Sequence, residues 1–252
     1  MYSIQKASLW NRIFAALFDF ILLAVAAVGL AYCLSAILGY QSYYDRLETR
    51  YSQIEQEYGV DFDISMSDYE NMPEEQKAKF QAANKAVSED EEALHVYNML
   101  FSLSLVIITL SILIAYLLLE MLVPLLFKNG QTLGKKIFGL ALMREDGVKV
   151  SPLLLFVRTL LGKYTLETMI PVLIFLMLCF GITDIMGTMI ALGIALIQFV
   201  LFMFSKTRTV IHDKLAHTIC VDFTTQIIFD SPEALIEYKK KRQAELAERA
   251  DY

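Results

Sequence analysis

The sequence predicts an all-α membrane protein: a four-span helical bundle with an interfacial helix, a small cytoplasmic β element and an extracytoplasmic helical insert. Three observations predict it. Of 252 residues, 56% are hydrophobic and the mean hydropathy is +0.47, too apolar for a soluble domain. Apolar stretches recur near the length of about 20 residues that a spanning helix needs. Charge is segregated within a net charge of -6. Residues 39–95 hold fourteen Asp or Glu against five Lys or Arg, and the rest holds seventeen basic against fourteen acidic residues.

Span 1 is expected over residues 9–38, within domain 1–38. It carries Arg12 and Asp19. Arg12 lies near the flank, where a long side chain snorkels to the headgroups. Asp19 has no such escape and must be protonated, paired or facing a wet cavity. Lys6 and Arg12 ahead of an apolar run imitate a signal peptide. Asp19 inside the run and the lack of a small-x-small site point instead to an uncleaved span, and Tyr32 before Cys33 spoils a lipobox. Trp10 beside Tyr2 suits an interfacial anchor.

The acidic insert, 39–94, has helix-forming composition from Ser42 to Tyr58 and from Pro73 to Asn98. Pro73 followed by Glu74 and Glu75 reads as a helix start, because proline suits the first turn and acids the positive end of the dipole. The expectation is a helical hairpin whose second arm runs into span 2. That span covers 94–127 and carries Glu120 and Pro124, the latter a kink or stop. The connector 128–151 holds five basic and two acidic residues. Its GLALMREDGVKV reads as two short strands around an Asp146-Gly147 turn.

Residues 152–167 are apolar but punctuated by Arg158, Lys163 and Glu167, which reads as the interfacial helix. Span 3 follows at 168–183 and span 4 at 187–205, with a tight turn near Asp184 and Gly187 between them. TICVDF reads as a third strand, and the tail from Ser231 as a charged amphipathic helix. Domains are thus 1–38, 39–94, a membrane domain 95–230 and a tail 231–252. The basic connector and the basic runs after span 4 put both termini inside and the insert outside, in the cell membrane.

Several classes are excluded. The only concentrated basic run is KKKR at 239–242, too short for a nucleic-acid face. Cys33, Cys179 and Cys220 are odd in number and lack pair spacing, so they read as buried free thiols. Gly130 and Gly134 are separated by three residues rather than four, and Lys136 follows Lys135, so the phosphate-loop pattern fails and a packing turn is expected. His212 and His217 are five apart, which is not a helical metal spacing. No nucleophile with a base and no cofactor motif is present; an enzyme, a cofactor and a metal are not expected.

Depth along the helices joins two carboxylates. From Trp10, Asp19 lies ~13 Å into span 1; from Phe127, Glu120 lies ~10 Å into span 2. Both need partners, and Arg158, Lys163, His212 and Asp213 are available. An inward-facing acidic site that binds a cation or relays a proton is one reading. An ion-pair network that fixes helix packing is the other.

The Arg12 to Asp19 spacing, the GQTLGKKIFGLALM segment with its DG turn, and IHDKLAHTICVD resemble the RDD family of bacterial membrane proteins. The family takes its name from one arginine and two aspartates, and Arg12, Asp19 and Asp213 match them. The resemblance covers 7–38 and 116–222; the insert and the tail fall outside it. Gln131, Thr132, Leu133, Gly134 and Lys135 match a second hallmark. His217, in the IHDKLAHTICVD block, departs from the family pattern, standing where a small residue, usually glycine, is expected. The resemblance implies a transport role, cation and proton exchange included, and no catalytic residues. The expectation is then a small bacterial carrier exchanging a monovalent cation for protons. Asp19 would be its principal carboxylate and Glu120 a secondary one; Arg12 and Asp213 would set its charge state and the cytoplasmic gate, with Arg158 a further ion-pair candidate. Four spans are few for alternating access, so a homo-oligomer in the lipid bilayer is expected. The alternative is a non-transporting scaffold or accessory subunit with a structural Arg/Asp network. Asp19→Asn separates them, since a carrier would keep its abundance and lose exchange.

Overall fold

The computed structural model describes residues 7–127, 129–179, 185–204 and 209–250. In chain order the elements are α1 (Leu9–Ile37), α2 (Tyr40–Tyr58), α3 (Met66–Asn71), α4 (Glu74–Glu89) and α5 (Glu91–Phe127). Then come α6 (Leu133–Ile137), β1 (Leu140–Arg144), α7 (Pro152–Leu178) and α8 (Ile185–Phe204). The chain ends with α9 (Ile211–Leu215), β2 (Thr218–Asp222) and α10 (Pro232–Ala250). Among the described residues three helices, α1, α5 and α7, are long and apolar enough to cross a membrane. Their large apolar side chains stay exposed, as Phe20, Val25 and Val28 do on α1. Such surface is costly in water and natural in lipid. α8 is a further apolar helix of 20 residues. Asp184 of the expected turn, with Tyr2 and Lys6, lies outside the described residues.

The expected division at residue 167 is corrected: 152–167 and the following span are one helix, Pro152–Leu178. The polar residues that read as an interfacial face turn into ion pairs instead. Val157–Met169 is wound as a π-helix, and so is Leu117–Leu122 of α5. Each wide stretch ends two residues before a proline, Pro171 and Pro124. A proline cannot donate to the carbonyl four residues back and its ring crowds it. Widening the preceding turns accommodates that loss, and α5 continues to Phe127 rather than stopping.

The chain divides into two compact units. One is Val28–Ser111, which contains the insert. Here α2 and α4 pack as the expected hairpin, with Ile54 and Ala83 buried. Tyr51, Phe62, Phe80 and Tyr69 form a chain of ring contacts with centroids 5.2–6.0 Å apart. The second arm does not run unbroken into α5. Asp90 is extended and caps α5 by accepting from Ala93 N at 2.9 Å, while Arg50 Nε donates to it at 2.6 Å. Those bonds hold its carboxyl below the usual range. Cys33 is exposed, against the expectation of a buried thiol; Cys220 is buried.

The other unit joins Met1–Ala27 to Ile112–Tyr252. Its β1 and β2 pair antiparallel from Leu140↔Asp222 to Arg144↔Thr218. One face packs Leu140 and Cys220 with Ala7 and Ala15 of the α1 end; the other packs Ala141, Met143, Ile219 and Val221. The second strand expected after Gly147 is reduced to two isolated bridges, Met143↔Lys149 and Val148↔Phe229. Gly147 turns the chain at φ 93°. Val148, Phe229 and Leu235 anchor α10.

His217 follows α9 at φ 50°, where its N–H donates to Lys214 O at 3.2 Å. This is the left-handed helix-end position that favours glycine, and an L side chain there costs about 1–2 kcal/mol. His217→Gly should therefore raise stability by about 1 kcal/mol. A higher melting temperature of the detergent-solubilised protein is the expected result.

Candidate functional site

The site lies within the unit of Met1–Ala27 and Ile112–Tyr252, and its first part is a joint between α1 and α6. Thr132 caps α6, its Oγ1 accepting from Lys135 N at 3.3 Å. The same hydroxyl donates to Asp19 Oδ2 at 2.5 Å, and Gly134 N donates to Asp19 Oδ1 at 2.7 Å. Asp19 thus has both oxygens engaged at the positive end of α6, where a carboxylate is favoured. Gly134 permits the approach. A Cβ there would lie 2.3 Å from Ala15 O and 2.9 Å from Asp19 Cγ. The packing turn expected from the glycines is this joint.

The second part is an ion-pair network between α5, α7 and α9. Arg158 Nε donates to Asp213 Oδ1 at 2.9 Å, and both residues are buried at 2% exposure. Thr218 Oγ1 donates to the same oxygen at 3.3 Å. His212 Nδ1 lies 2.7 Å from Glu167 Oε2, and its backbone N donates to Glu167 Oε1 at 3.0 Å. Burial lowers the His212 pKa, opposed by the neighbouring Asp213 and Glu167 carboxylates. Burial also opposes ionisation of Asp213, but His212 and Arg158 outweigh it and hold that carboxyl below the usual range. Gly162 on the wide stretch of α7 admits α9, since a Cβ there would lie 2.5 Å from His212 Cβ.

Glu120 is the third part. It is 4% exposed, and Lys163 Nζ lies 2.6 Å from its Oε1. Its Oε2 has no hydrogen-bond partner; Arg158 Nη1 is 3.9 Å away. Pro124 cannot donate to the Glu120 carbonyl, and Thr159 Oγ1 on α7 does so at 3.0 Å. Tyr116, one turn earlier, bonds Thr168 at 2.8 Å.

These parts line one partly open cavity of about 430 Å³. It is lined by Arg12 and Asp19 from α1, Glu120 from α5, Lys135 from α6, Arg158, Lys163 and Glu167 from α7, and His212 and Asp213 from α9. All five residues singled out in the sequence reach it. They do not form one cluster: Asp19 binds α6, whereas Arg158 joins Asp213 and Glu120. Burial pushes the nearby Cys220 thiol up, with Arg12 the foremost opposing charge.

Sequence reading missed Lys135 as a site residue, and missed Thr132 and Gly134 as the partners of Asp19. Their presence in one short hallmark beside a lone intramembrane aspartate was the available signal. Among the described residues no group of three His, Cys, Asp or Glu side chains is placed to hold a metal.

The model of the RDD family matches residues 6–217. No curated protein and no solved structure matches the chain.

Proposed function

The chain belongs to the RDD family of membrane proteins, and we propose that it is a small carrier exchanging a monovalent cation for protons through an intramembrane carboxylate. The observation that supports this best is Glu120. It sits on an apolar helix, lines the cavity, and keeps one buried oxygen without a hydrogen-bond partner. A carboxylate in such a place is a binding group at considerable cost to stability. Asp19, the principal carboxylate expected from sequence, is less suited, because both its oxygens already accept hydrogen bonds from α6. The exchanging role therefore passes to Glu120, and Asp19 with Arg158 and Asp213 holds the frame.

In this reading α8 is the fourth span. Both termini and the β1–β2 sheet face the cytoplasm of a bacterial cell, as the basic connector argues. The carrier acts as a homo-oligomer, without a cofactor and without enzymatic turnover. The test uses proteoliposomes with an internal pH dye and an imposed proton gradient, to which Na⁺, K⁺ or Li⁺ is added. The native chain should dissipate the gradient on cation addition. Glu120→Gln should lose at least about tenfold in rate, the loss expected when a group essential to the step is removed. No cation response from well-folded native protein sinks the exchange reading.

A second reading, a non-transporting scaffold or accessory subunit, is favoured by the full pairing of Asp19 and of Arg158 with Asp213. It expects the same substitutions to change abundance and no flux at all.

A further inference from the structure

We propose, resting on the exchange reading above, that Lys135 releases the exchanged proton, and that it does so when a monovalent cation settles on Glu120 Oε2.

Lys135 is a buried amine, 8% exposed, that lines the cavity. Among the described residues its Nζ reaches only Thr132 Oγ1, at 3.5 Å. Among the described residues no carboxylate lies within 4.0 Å of it. The cations beside it differ in this respect. Arg158 has Asp213 at 2.9 Å and Lys163 has Glu120 at 2.6 Å. Lys135 therefore has the least to lose by giving up its charge.

The groups around it set the balance. Asp19 and Arg12 face the cavity from α1, Tyr116 and Glu120 from α5, Arg158, Lys163 and Glu167 from α7, His212 and Asp213 from α9, and Cys220 from β2. Burial, and then the like charges of Arg158 and Lys163, bring Lys135 down to about 8. Both of its protonation states are thus populated near neutral pH. Arginine offers no such choice, because a guanidinium keeps its proton.

Charge bookkeeping then links the two atoms. A cation at Glu120 Oε2 adds one positive charge to a buried site that already holds Lys163 and Arg158. Loss of one proton from Lys135 restores the original charge. In the step Lys135 passes from ammonium to neutral amine, its proton enters the cavity solvent, and no covalent bond to the protein changes. Exchange is one for one and moves no net charge. Lys135 acts on the cation through the field, without ligating it.

Competitive labelling with acetic anhydride tests this on the full chain in lipid nanodiscs. Mass spectrometry reads the modification of Lys135 across pH 6–10, in Na⁺, K⁺ or Li⁺ and in choline at equal ionic strength. The expected midpoint in choline is about 8. A bound cation should lower it, and a fall of one pH unit raises labelling at pH 7 about fivefold. Glu120→Gln should remove the cation effect. Should that variant not fold, Lys135→Arg in proteoliposomes serves instead, with an intact fold and lost exchange expected. A midpoint near the ordinary lysine value of about 10.4 overturns the proposal. So does a midpoint that none of the three cations moves, or undiminished exchange in Lys135→Arg. Flux in native liposomes without a labelling shift leaves the exchange reading standing and removes Lys135 from it. A labelling shift without flux leaves the Lys135–Glu120 linkage and defeats transport.

Discussion

Arg158→Met is expected to cost about 3–5 kcal/mol and to leave little folded protein, because it strips the partner from a buried charge. Arg158 is the hub of the α5–α7–α9 network. It donates to Asp213 at 2.9 Å and stands 3.9 Å from Glu120 Oε2, with all three side chains at most 5% exposed. Without it two carboxylates remain buried with reduced compensation. The yield of monodisperse protein on size-exclusion chromatography should collapse. Arg158→Met combined with Asp213→Leu should recover a large part of it, since a buried pair replaced as a unit by apolar side chains is often neutral. A yield unchanged in Arg158→Met would show that the pair carries no stability.

The pH dependence has a definite sign. In the native chain Asp213 is held below its ordinary range, with burial opposing and His212 and Arg158 prevailing. Its contribution is present above about pH 4 and fades as pH falls toward the folded value. In Arg158→Met a protonated Asp213 no longer buries a bare charge. The stability deficit of the variant should therefore narrow on acidification. Thermal scans of both proteins from pH 7 to pH 4 measure it.

Gly134→Ala should be comparably damaging, at about 3 kcal/mol, the upper end for overpacking a rigid contact. The added Cβ would lie 2.3 Å from the Ala15 carbonyl and 2.9 Å from the Asp19 carboxylate. The first of these is helix backbone and cannot turn away. α6 has to retreat from α1, and the bonds from Gly134 N and Thr132 Oγ1 to Asp19 lengthen or break. Asp19 would then be a carboxylate without donors on an apolar helix, which adds to the loss. Gly29→Ala is the control. Its Cβ meets nothing within 4 Å, and alanine is the better helix former there. Melting temperature and yield of the two variants side by side decide the matter; equal behaviour would refute the joint.

The membrane class, the long apolar helices, the hairpin insert and the tail helix were legible in the sequence. Each depends on local composition: run length against bilayer thickness, acids after Pro73, charge in the last twenty residues. The Asp146-Gly147 turn and the strand character of LALM and TICVD were legible too, because alternation and turn chemistry are local; that these two strands pair with each other was not. Membership of the RDD family rested on short ordered blocks, and residues 6–217 bear it out. Arg12, Asp19, Glu120 and Arg158 were conspicuous as charges in or beside apolar runs, and Asp213 as the match to the family's second aspartate.

Which charge meets which was decided only in three dimensions. Asp19 reaches Thr132 across 113 residues and Arg158 reaches Asp213 across 55, and no periodicity encodes such separations. For that reason Asp19 looked like an unsatisfied carboxylate when it is the clasp of α6. The polar face of 152–167 misled for the same reason. Side chains that would suit headgroups on an isolated helix suit ion pairs equally well once α5 and α9 bring opposite charges to them. Hydropathy states the cost of placing a charge in an apolar segment. Only tertiary packing supplies the partner that offsets the cost, because electrostatic compensation depends on distance in space and burial, not on position along the chain.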